Sequence, residues 1–510
     1  MAEDVPAPFD LNRSGTATAL FVDLGLQEQT LADGTQLSGV KRIVFQGGDG
    51  ADTVLGGAFA DTLTGGGGAD SLSGGAGDDV LTGAAGDTLL GGEGQDQIII
   101  SAAPALVRGG AGYDTLVVTG ASSFAAGALS EIELVLVNRG VKADFSKLTV
   151  GQNVAAGAGS AGGVYLVGSS GADTLVGSAG ADTLEGGSGA DVLQGGDGAD
   201  RLSGGPGNDS MYGGAGDDVL ETKRGTGPDY FDGGSGVDRL VADFLTTTAN
   251  MRLDLTDPSL LQAIGGGSFI VDIERVDIVT GSGADTLIGG TLSDTLNGSG
   301  GDDILAGAGG DDRLIGGAGS DLVRFSGGRA DYQASLAGSV LTMTDTIGGR
   351  DGTDTVSEAE LFAFSDGVFT LAELLAPSVT DVALSANTVL EGAAPGTLVG
   401  ALSASVQDAR AQLSYILPAD ETRFAVAGDQ LLLAQPLTPG VYQVQVTAVD
   451  SRGGQRLEAF EIVVTDVDEA PQGLTVTNLQ AVAEDTAVET RLADVAVLDP
   501  DSDPANRVYS

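Results

Sequence analysis

A nine-residue spacing of aspartate constrains the fold of this chain more than any other feature. From residue 168 to residue 221 the sequence reads GSSGADTLV, GSAGADTLE, GGSGADVLQ, GGDGADRLS, GGPGNDSMY and GGAGDDVLE, with aspartate always sixth and leucine or methionine always eighth. A fixed short period indicates a solenoid, in which each unit packs only against its neighbours. A flexible acidic linker is excluded because it would not place an apolar residue at every ninth position.

Each position of the repeat has a physical meaning. Glycines at positions 1, 2 and 4 allow positive φ and a sharp turn. Positions 7 to 9, such as residues 183–185, predict a short strand whose middle side chain points inward. Two turns and two strands make one 18-residue coil, so alternate repeats stack on the same edge. We therefore expect Asp191 to lie between Asp173 and Asp209.

Stacked aspartates need a counter-charge. Neighbouring strands lie about 4.8 Å apart, and two carboxylates at that distance repel by about 3 to 4 kcal/mol at an effective dielectric constant of about 20. A column of them requires cations between the turns, and carboxylate and carbonyl ligands favour Ca²⁺ over Mg²⁺ or Zn²⁺. The repeats resemble the repeats-in-toxin (RTX, haemolysin-type) calcium-binding family. The resemblance implies parallel β-rolls that hold several Ca²⁺ ions.

The sixth-position aspartates are the predicted calcium ligands. Those in regular repeats are Asp52, Asp70, Asp79, Asp96, Asp114, Asp173, Asp182, Asp191, Asp200, Asp209, Asp218, Asp238, Asp285, Asp303, Asp312 and Asp321. Asp61, Asp87 and Asp294 are weaker candidates, because their repeats lack a turn glycine or one residue. Residues 100–108 keep the repeat length without any aspartate, so we expect one edge to lack an ion beside Pro104.

Composition excludes several classes of protein. The chain has 510 residues with neither histidine nor cysteine, which removes histidine-dependent catalytic triads and dyads, zinc sites with His or Cys ligands, and disulfides. We therefore expect no enzymatic activity from these residues. A net charge of −49 argues against nucleic acid or an anionic membrane surface as a partner. No run of 18 apolar residues is present, so no transmembrane segment is predicted.

The repeat pattern divides the chain into blocks. Three RTX blocks alternate with β-rich inserts, which we expect to cover the open ends of the rolls. After Pro377 the strand spacing is typical of a Greek-key β-sandwich. The predicted boundaries are 1–45 for an N-terminal cap, 46–118 for block 1, 119–166 for an insert, 167–242 for block 2, 243–279 for an insert, 280–325 for block 3, 326–376 for a C-terminal cap, 377–470 for the sandwich and 471–510 for a truncated second module.

The sandwich resembles a cadherin module. Its last residues, DVDEAP at 466–471, are similar to the cadherin junction D-x-N-D/E-x-P. This resemblance leaves two alternatives, a calcium site at the junction or a sandwich that holds its neighbour with little or no calcium. The junction site would use Glu391, Asp466, Asp468, Asp499 and Asp501.

The predicted fold class is all-β, with parallel β-roll blocks and β inserts followed by an antiparallel cadherin-like sandwich. The predicted function is that of a secreted or surface structural or adhesion protein whose repeats fold on binding Ca²⁺ outside the cell, after type I secretion. Its expected partners are calcium and a cell-surface or matrix protein or glycan. The alternative is the calcium-binding accessory region of a secreted RTX enzyme or toxin, whose catalytic domain lies elsewhere. Because the sequence stops inside the predicted second module, we interpret the chain as a fragment of a longer protein.

Overall fold

The computed structural model describes residues 7–32, 35–157, 162–222, 227–375, 379–406, 412–450, 454–467, 473–477, 479 and 494–498. The chain divides into two compact units, one ending at Leu374 and the other beginning at Leu375. In the described residues, helix is confined to a 3-10 turn at Arg329–Asp331 and a short α-helix at Leu371–Leu375. The protein is therefore almost entirely β-structure.

The first unit is a parallel β-solenoid built from four sheets. In spatial order, sheet 1 contains Phe9–Asn12, Ile43–Gln46, Thr62–Thr64, Val80–Gly83, Gln97–Ile100, Thr115–Val118, Leu134–Val137, Asn153–Ala156, Thr174–Val176, Val192–Asp197, Ser210–Ala215, Tyr230–Ser235, Ser268–Val271 and Gln262–Gly265. Sheet 2 contains Leu129–Ser130, Leu106–Ala111, Thr88–Glu93, Ser71–Ala76, Thr53–Leu55 and Phe21–Asp23.

Sheets 3 and 4 complete the solenoid. Sheet 3 contains Ser122–Ser123, Lys142–Asp144, Tyr165–Val167, Thr183–Glu185, Arg201–Ser203, Val219–Thr222, Arg239–Asp243, Arg275–Val279, Thr295–Gly300, Arg313–Ala318, Thr353–Ser357, Val340–Asp345 and Tyr332–Ala337. Sheet 4 contains Arg252–Asp254, Thr286–Ile288, Ile304–Ala306, Leu322–Arg324, Leu361–Phe364 and Gly367–Thr370. A separate hairpin pairs Glu28–Thr30 with Gln36–Ser38.

The eighth residue of each repeat forms the core. Leu175, Leu184, Leu193 and Leu202 are fully buried, while the residues on either side of them in the strand are less buried or exposed for the most part. Alternation of side chains along a strand explains this pattern, because one residue in three points into the narrow interior. The resulting column of apolar side chains is continuous from Leu11 to Leu374.

The inserts continue the solenoid rather than separating three rolls. At the first insert, sheet 1 runs through Leu134–Val137 and Asn153–Ala156 while sheet 2 ends and sheet 3 begins. At the second insert, sheet 3 runs through Arg275–Val279 while sheet 1 ends and sheet 4 begins. One sheet always continues across the junction, because the inward apolar residues of the insert strands lie in register with those of the coils on both sides. Val135, for example, lies opposite Leu116 on one side and Val154 on the other.

The second unit contains two four-stranded sheets that enclose a small core. One sheet has the order Val379–Leu384, Leu398–Val406, Gln430–Leu433 and Phe424–Ala427, and the other has Thr388–Leu390, Gln455–Thr465, Gly440–Asp450 and Leu413–Ile416. All pairings are antiparallel except that of the first two strands of the second sheet. A further hairpin pairs Gly473–Thr477 with Asp494–Leu498. Phe424 and Leu431 from one sheet pack with Val446 and Ile462 from the other.

Candidate calcium-binding turns

The strands of the solenoid bring the sixth-position aspartates together. Each aspartate immediately precedes its strand, and Val192 pairs with Ser210 one coil later, so Asp191 and Asp209 are neighbours on one edge. All nineteen repeat aspartates predicted from the sequence are at most 2 % exposed. A buried carboxylate is costly unless it is paired or coordinates a metal, so each of these groups requires a partner.

One oxygen of each carboxylate has a backbone partner. The N–H of Asp173 donates to Oδ1 of Asp191 over 2.8 Å, and the N–H of Asp191 donates to Oδ1 of Asp209 over 2.9 Å. We call each such series along one edge an aspartate ladder. The six ladders are Asp52, Asp70 and Asp87; Asp61, Asp79, Asp96 and Asp114; Asp173, Asp191, Asp209 and Asp229; Asp182, Asp200, Asp218 and Asp238; Asp285, Asp303 and Asp321; and Asp294, Asp312 and Asp354.

The other carboxylate oxygen is often without any hydrogen-bond donor. Among the described residues, the buried Oδ2 atoms that lack a donor belong to Asp70, Asp79, Asp96, Asp114, Asp191, Asp200, Asp209, Asp218, Asp238, Asp285, Asp303, Asp312 and Asp321. Buried polar atoms in native proteins almost always have a partner. Thirteen orphaned carboxylate oxygens in equivalent positions therefore indicate that the turns bind the same kind of ligand, and that this ligand is positively charged.

The glycine at position 1 of a turn leaves room beside the orphaned oxygen in every such turn except that of Asp285, where position 1 is Thr280. A Cβ placed on Gly186 would lie 2.5 Å from Oδ2 of Asp191 and 2.6 Å from the carbonyl oxygen of Gly204 in the next coil. A Cβ on Gly195 would likewise meet Oδ2 of Asp200 and the carbonyl oxygen of Gly213 in the next coil. A carboxylate and a carbonyl thus converge on the space that the missing side chain leaves, which explains the glycine at position 1.

Burial makes many of these carboxylates resist ionisation in the absence of a cation. For Asp200, desolvation is the largest cause, and the stacked carboxylates of Asp182 and Asp218 add to it, raising its pKa to about 7. Burial raises the pKa to about 6 in Asp70, Asp191 and Asp294, to about 7 in Asp79, Asp209, Asp238, Asp303 and Asp312, and to about 8 in Asp354. A divalent cation would remove this penalty.

The first turn of each ladder has a different conformation from the turns that follow. In later turns, such as those of Asp191 and Asp200, the residues at positions 2 and 4 have positive φ. The first turns end at Asp52, Asp61, Asp173, Asp182, Asp285 and Asp294, and in these described turns no residue at position 2 or 4 has positive φ. A later turn lies against the preceding one, since a Cβ on Gly187 would collide with the carbonyl oxygen of Ser169. A first turn has no repeat turn before it.

Several of these first turns close on their own aspartate. In such a turn the backbone N–H of the residue at position 2 donates to Oδ2 of the aspartate at position 6. The N–H of Ser169 donates to Asp173 over 2.8 Å, and the N–H of Gly290 donates to Asp294 over 2.8 Å. The other first turns that close in this way are those of Asp61 and Asp182, and the shortened turn of Asp87, although not a first turn, does the same. Where the turn is closed, the carboxylate has a protein partner for both oxygens and depends less on a cation.

Two ladder members were not predicted from the sequence. Asp229 accepts the N–H of Asp209 over 3.0 Å, and Asp354 accepts the N–H of Asp312 over 3.0 Å. Asp229 follows an irregular segment that adds two residues to the coil, so it falls off the nine-residue spacing. Asp354 lies in the predicted C-terminal cap, where only the sequence Asp-Thr-Val, similar to the Asp-Thr-Leu of the repeats, could have identified it.

The donor set fits Ca²⁺. Among the described residues, no group of three or more Asp, Glu, His or Cys side chains is placed to hold a metal. The turns instead offer pairs of carboxylates with backbone carbonyls, which are hard oxygen ligands of the kind that Ca²⁺ takes in flexible geometry. Multiple ions would be held between successive turns, with the ladder carboxylates supplying the charge.

The predicted junction residues are only partly described. Glu391 accepts the N–H of Val467 over 2.8 Å, and its carboxylate lies beside that of Asp466, whose pKa it raises through a hydrogen bond. Asp468, Asp499 and Asp501 lie outside the described residues. The calcium site at the junction therefore stays a prediction.

Comparison with known families identifies the repeats. A model of the RTX calcium-binding nonapeptide repeat (4 copies) matches residues 46–81, 81–99, 159–193, 167–202, 185–220, 194–227, 225–244 and 288–323. These stretches make up about a third of the chain. No curated protein matches the chain.

Among solved structures, a protocadherin gamma B7 fragment with extracellular cadherin domains 1–4 is 18 % identical over 31 % of this chain and 40 % of that one, with a TM-score of 0.20. Drosophila N-cadherin EC1–3 is 12 % identical over 36 % and 75 %, with a TM-score of 0.17. The chain thus spans two fifths of the protocadherin fragment, and scores this low carry no argument about the second unit. What the geometry and the family match establish together is that this chain carries RTX calcium-binding repeats, wound as a parallel β-solenoid.

Proposed function

We propose that this chain is a secreted or surface-attached structural protein whose solenoid folds when it binds Ca²⁺ outside the cell. The observation that carries the proposal is the row of orphaned carboxylate oxygens, represented by Oδ2 of Asp191, Asp200 and Asp209. Each is buried beside a backbone carbonyl and a stacked carboxylate, an arrangement that a free carboxylate cannot tolerate and that a cation stabilises. The free energy of binding then becomes free energy of folding.

Calcium supply places this folding step outside the cell. Extracellular modules bind Ca²⁺ with dissociation constants of about 10⁻⁴ to 10⁻³ M, so the repeats stay unfolded where calcium is scarce. The net charge of −49 keeps an ion-free chain expanded and soluble through self-repulsion. RTX repeats are typical of proteins exported by type I secretion, and an unfolded chain suits that route. Among the described residues, no helix is long and apolar enough to cross a bilayer.

We further propose that the second unit serves adhesion, with a cell-surface or matrix protein or glycan as its partner. Two lines of evidence support a cadherin-like module here. The unit has two four-stranded sheets that enclose apolar side chains, and the junction motif lies at the end of the predicted sandwich, at 466–471. Within the described part, Glu391 and Asp466 are adjacent, which is the arrangement that a calcium site at the junction requires.

The folding proposal is tested by comparing the chain in chelator, in millimolar Ca²⁺ and in millimolar Mg²⁺. Small-angle scattering is expected to show an expanded chain in chelator and a compact solenoid in Ca²⁺, with circular dichroism gaining β-structure in parallel. Magnesium should substitute poorly because it demands near-octahedral geometry. Equal compactness with and without Ca²⁺ would overturn the proposal.

A further inference from the structure

Three short acidic segments lie where an aspartate ladder ends. They are residues 131–133, 272–274 and 358–360, with the sequences Glu-Ile-Glu, Asp-Ile-Glu and Glu-Ala-Glu. Each one follows the last repeat of its edge and leads into a strand of the next coil, at Leu134, Arg275 and Leu361. None of the three contains the glycine-rich turn of the repeat.

The glutamate that ends each segment takes the place of the next ladder aspartate. The N–H of Asp114 donates to Oε2 of Glu133 over 2.7 Å. The equivalent bonds run from Asp238 to Glu274 over 2.8 Å and from Asp321 to Glu360 over 2.9 Å. The strand register is also that of the repeats: Thr115 is opposite Leu134, so Asp114 is opposite Glu133, as Asp191 is opposite Asp209.

The acid that begins each segment supplies a carbonyl oxygen at the corresponding place. A Cβ on Gly109 would collide with the carbonyl oxygen of Glu131 and would lie 2.6 Å from Oδ2 of Asp114. Gly233 has the same two neighbours in Asp272 and Asp238, and Gly316 has them in Glu358 and Asp321. In the interior turns these neighbours are the first glycine of the next turn and the aspartate of the same turn, as at Gly186.

The backbone of the segments is strained to reach this position. Glu131, Asp272 and Glu358 have φ values of 52°, 49° and 55°, which residues with a side chain adopt at a cost of order 1 kcal/mol or more. Only five non-glycine residues in the described chain have positive φ, and these are three of them. Strain repeated at three equivalent places indicates a required carbonyl direction.

Each of the three last aspartates also has an orphaned oxygen. Asp114, Asp238 and Asp321 are 0 % exposed, and Oδ2 of each has no hydrogen-bond donor. The oxygen faces the segment whose carbonyl and glutamate lie beside it. A carboxylate, a carbonyl and a second carboxylate therefore meet at the end of each of these ladders, as they do between two repeat turns.

We propose that each segment completes a terminal calcium site, with Glu133, Glu274 and Glu360 as ligands in place of a ladder aspartate. The proposal rests on the proposed function, because it adds three ions to those held between repeats. Such a segment also ends the ladder on its edge, since the glutamate accepts the N–H of the last aspartate and no further repeat turn is needed.

The test is a triple variant, Glu133→Gln, Glu274→Gln and Glu360→Gln. The amide oxygen of glutamine can replace Oε2 of the glutamate as the acceptor for the aspartate N–H, but the negative charge is removed, so the hydrogen bond survives while the calcium site weakens. Bound calcium is counted by equilibrium dialysis at the lowest concentration that saturates the unmodified chain. We expect the triple variant to hold three fewer ions, and each single variant to hold one fewer.

The matched control removes the same charge elsewhere on the solenoid. Asp49, Glu93 and Asp197 occupy the third position of repeat turns and are exposed, so Asp49→Asn, Glu93→Gln and Asp197→Asn together should leave the ion count unchanged.

Equal counts in the unmodified chain and the triple variant would overturn the inference alone. Equal losses in the triple variant and its control would overturn it as well, since calcium would then follow bulk charge. No binding by the unmodified chain would overturn the proposed function itself. Where the triple variant does not fold in calcium, the single variants give the same decision.

Discussion

Two aspartates six residues apart show how position within the repeat decides the role of a charge. Asp191 is sixth in its turn, is 1 % exposed, and has one oxygen without a donor. Asp197 is third in the following turn and is exposed. The two side chains carry the same charge, but only the first is desolvated against a stacked carboxylate. The difference comes from the strand that follows Asp191, which fixes it inside the edge of the coil.

Replacing these residues separates calcium ligands from bulk charge. Asp191→Ala removes a carboxylate that lies between Asp173 and Asp209, so we expect calcium affinity at the adjoining sites to fall at least about tenfold. Asp197→Ala should change it little. Calcium titrations followed by circular dichroism make the comparison, with the second unit expected to unfold at an unchanged temperature because solenoid coupling is between neighbours. Identical titrations of the two variants would show that the sixth position has no special role.

At the scale of the turn, the atoms next to a glycine decide whether a residue with a side chain can replace it. Gly57 and Gly66 both occupy position 2 of a repeat turn in the first block. Gly66 has a φ of 95°, and a Cβ there would collide with the carbonyl oxygen of Gly48. Gly57 lies in the first turn of its ladder without positive φ, and its nearest atom would be the carbonyl oxygen of Lys41 at 3.3 Å. The same residue type in the same position therefore meets different constraints.

Alanine at these two positions should have unequal effects on the calcium-loaded solenoid. For Gly66→Ala we expect a loss of at least about 1 to 2 kcal/mol from the left-handed backbone, increased by the collision with a backbone oxygen. For Gly57→Ala we expect a change within about 1 kcal/mol, because the backbone is not left-handed there and the Cβ would be only slightly tight against the carbonyl oxygen of Lys41. Thermal unfolding in saturating Ca²⁺ measures both. An equal loss in the two variants would contradict the distinction between first and later turns.

At the scale of the molecule, one apolar column and six aspartate ladders run along the same solenoid. The column contributes one or two inward side chains per strand, which is a thin core for 374 residues. The ladders contribute repulsion unless cations are bound. The stability of the whole unit therefore depends on the ionisation state of its edges, which either calcium or protons can change.

Acid should accordingly replace calcium in part. In the ion-free fold, burial raises the pKa of Asp200, Asp209 and Asp238 to about 7, above the ordinary value of 3.8. The folded state then binds protons more readily than the unfolded state, so its stability is greatest at low pH and is lost as pH rises through about 7. In chelator, lowering the pH from 8 to about 5.5 should restore β-structure in circular dichroism, with a midpoint between about 6 and 7.

The same pH series in millimolar Ca²⁺ serves as the control and should show little change above pH 7, because bound calcium keeps the carboxylates ionised. The range stays above the isoelectric point of about 4.1, where loss of net charge promotes association. A midpoint near 4 in chelator would mean that the ladder carboxylates titrate as exposed groups, contrary to their burial in the structure.

The sequence alone determined the period, the inward leucines and the ladder aspartates of regular repeats, because each follows from local geometry that recurs every nine residues. The tertiary structure decided what depends on the coil before or after. It set the conformation of Gly57 apart from that of Gly66, and it joined the three blocks through insert strands that carry no glycine turn. It also placed Asp229 and Asp354 in ladders, and it brought Glu133 opposite Asp114. In each case the physical reason is the same. The contacts of a turn in a solenoid are completed by the neighbouring turn, and the sequence around one turn does not reveal a neighbour that lies 18 or more residues away.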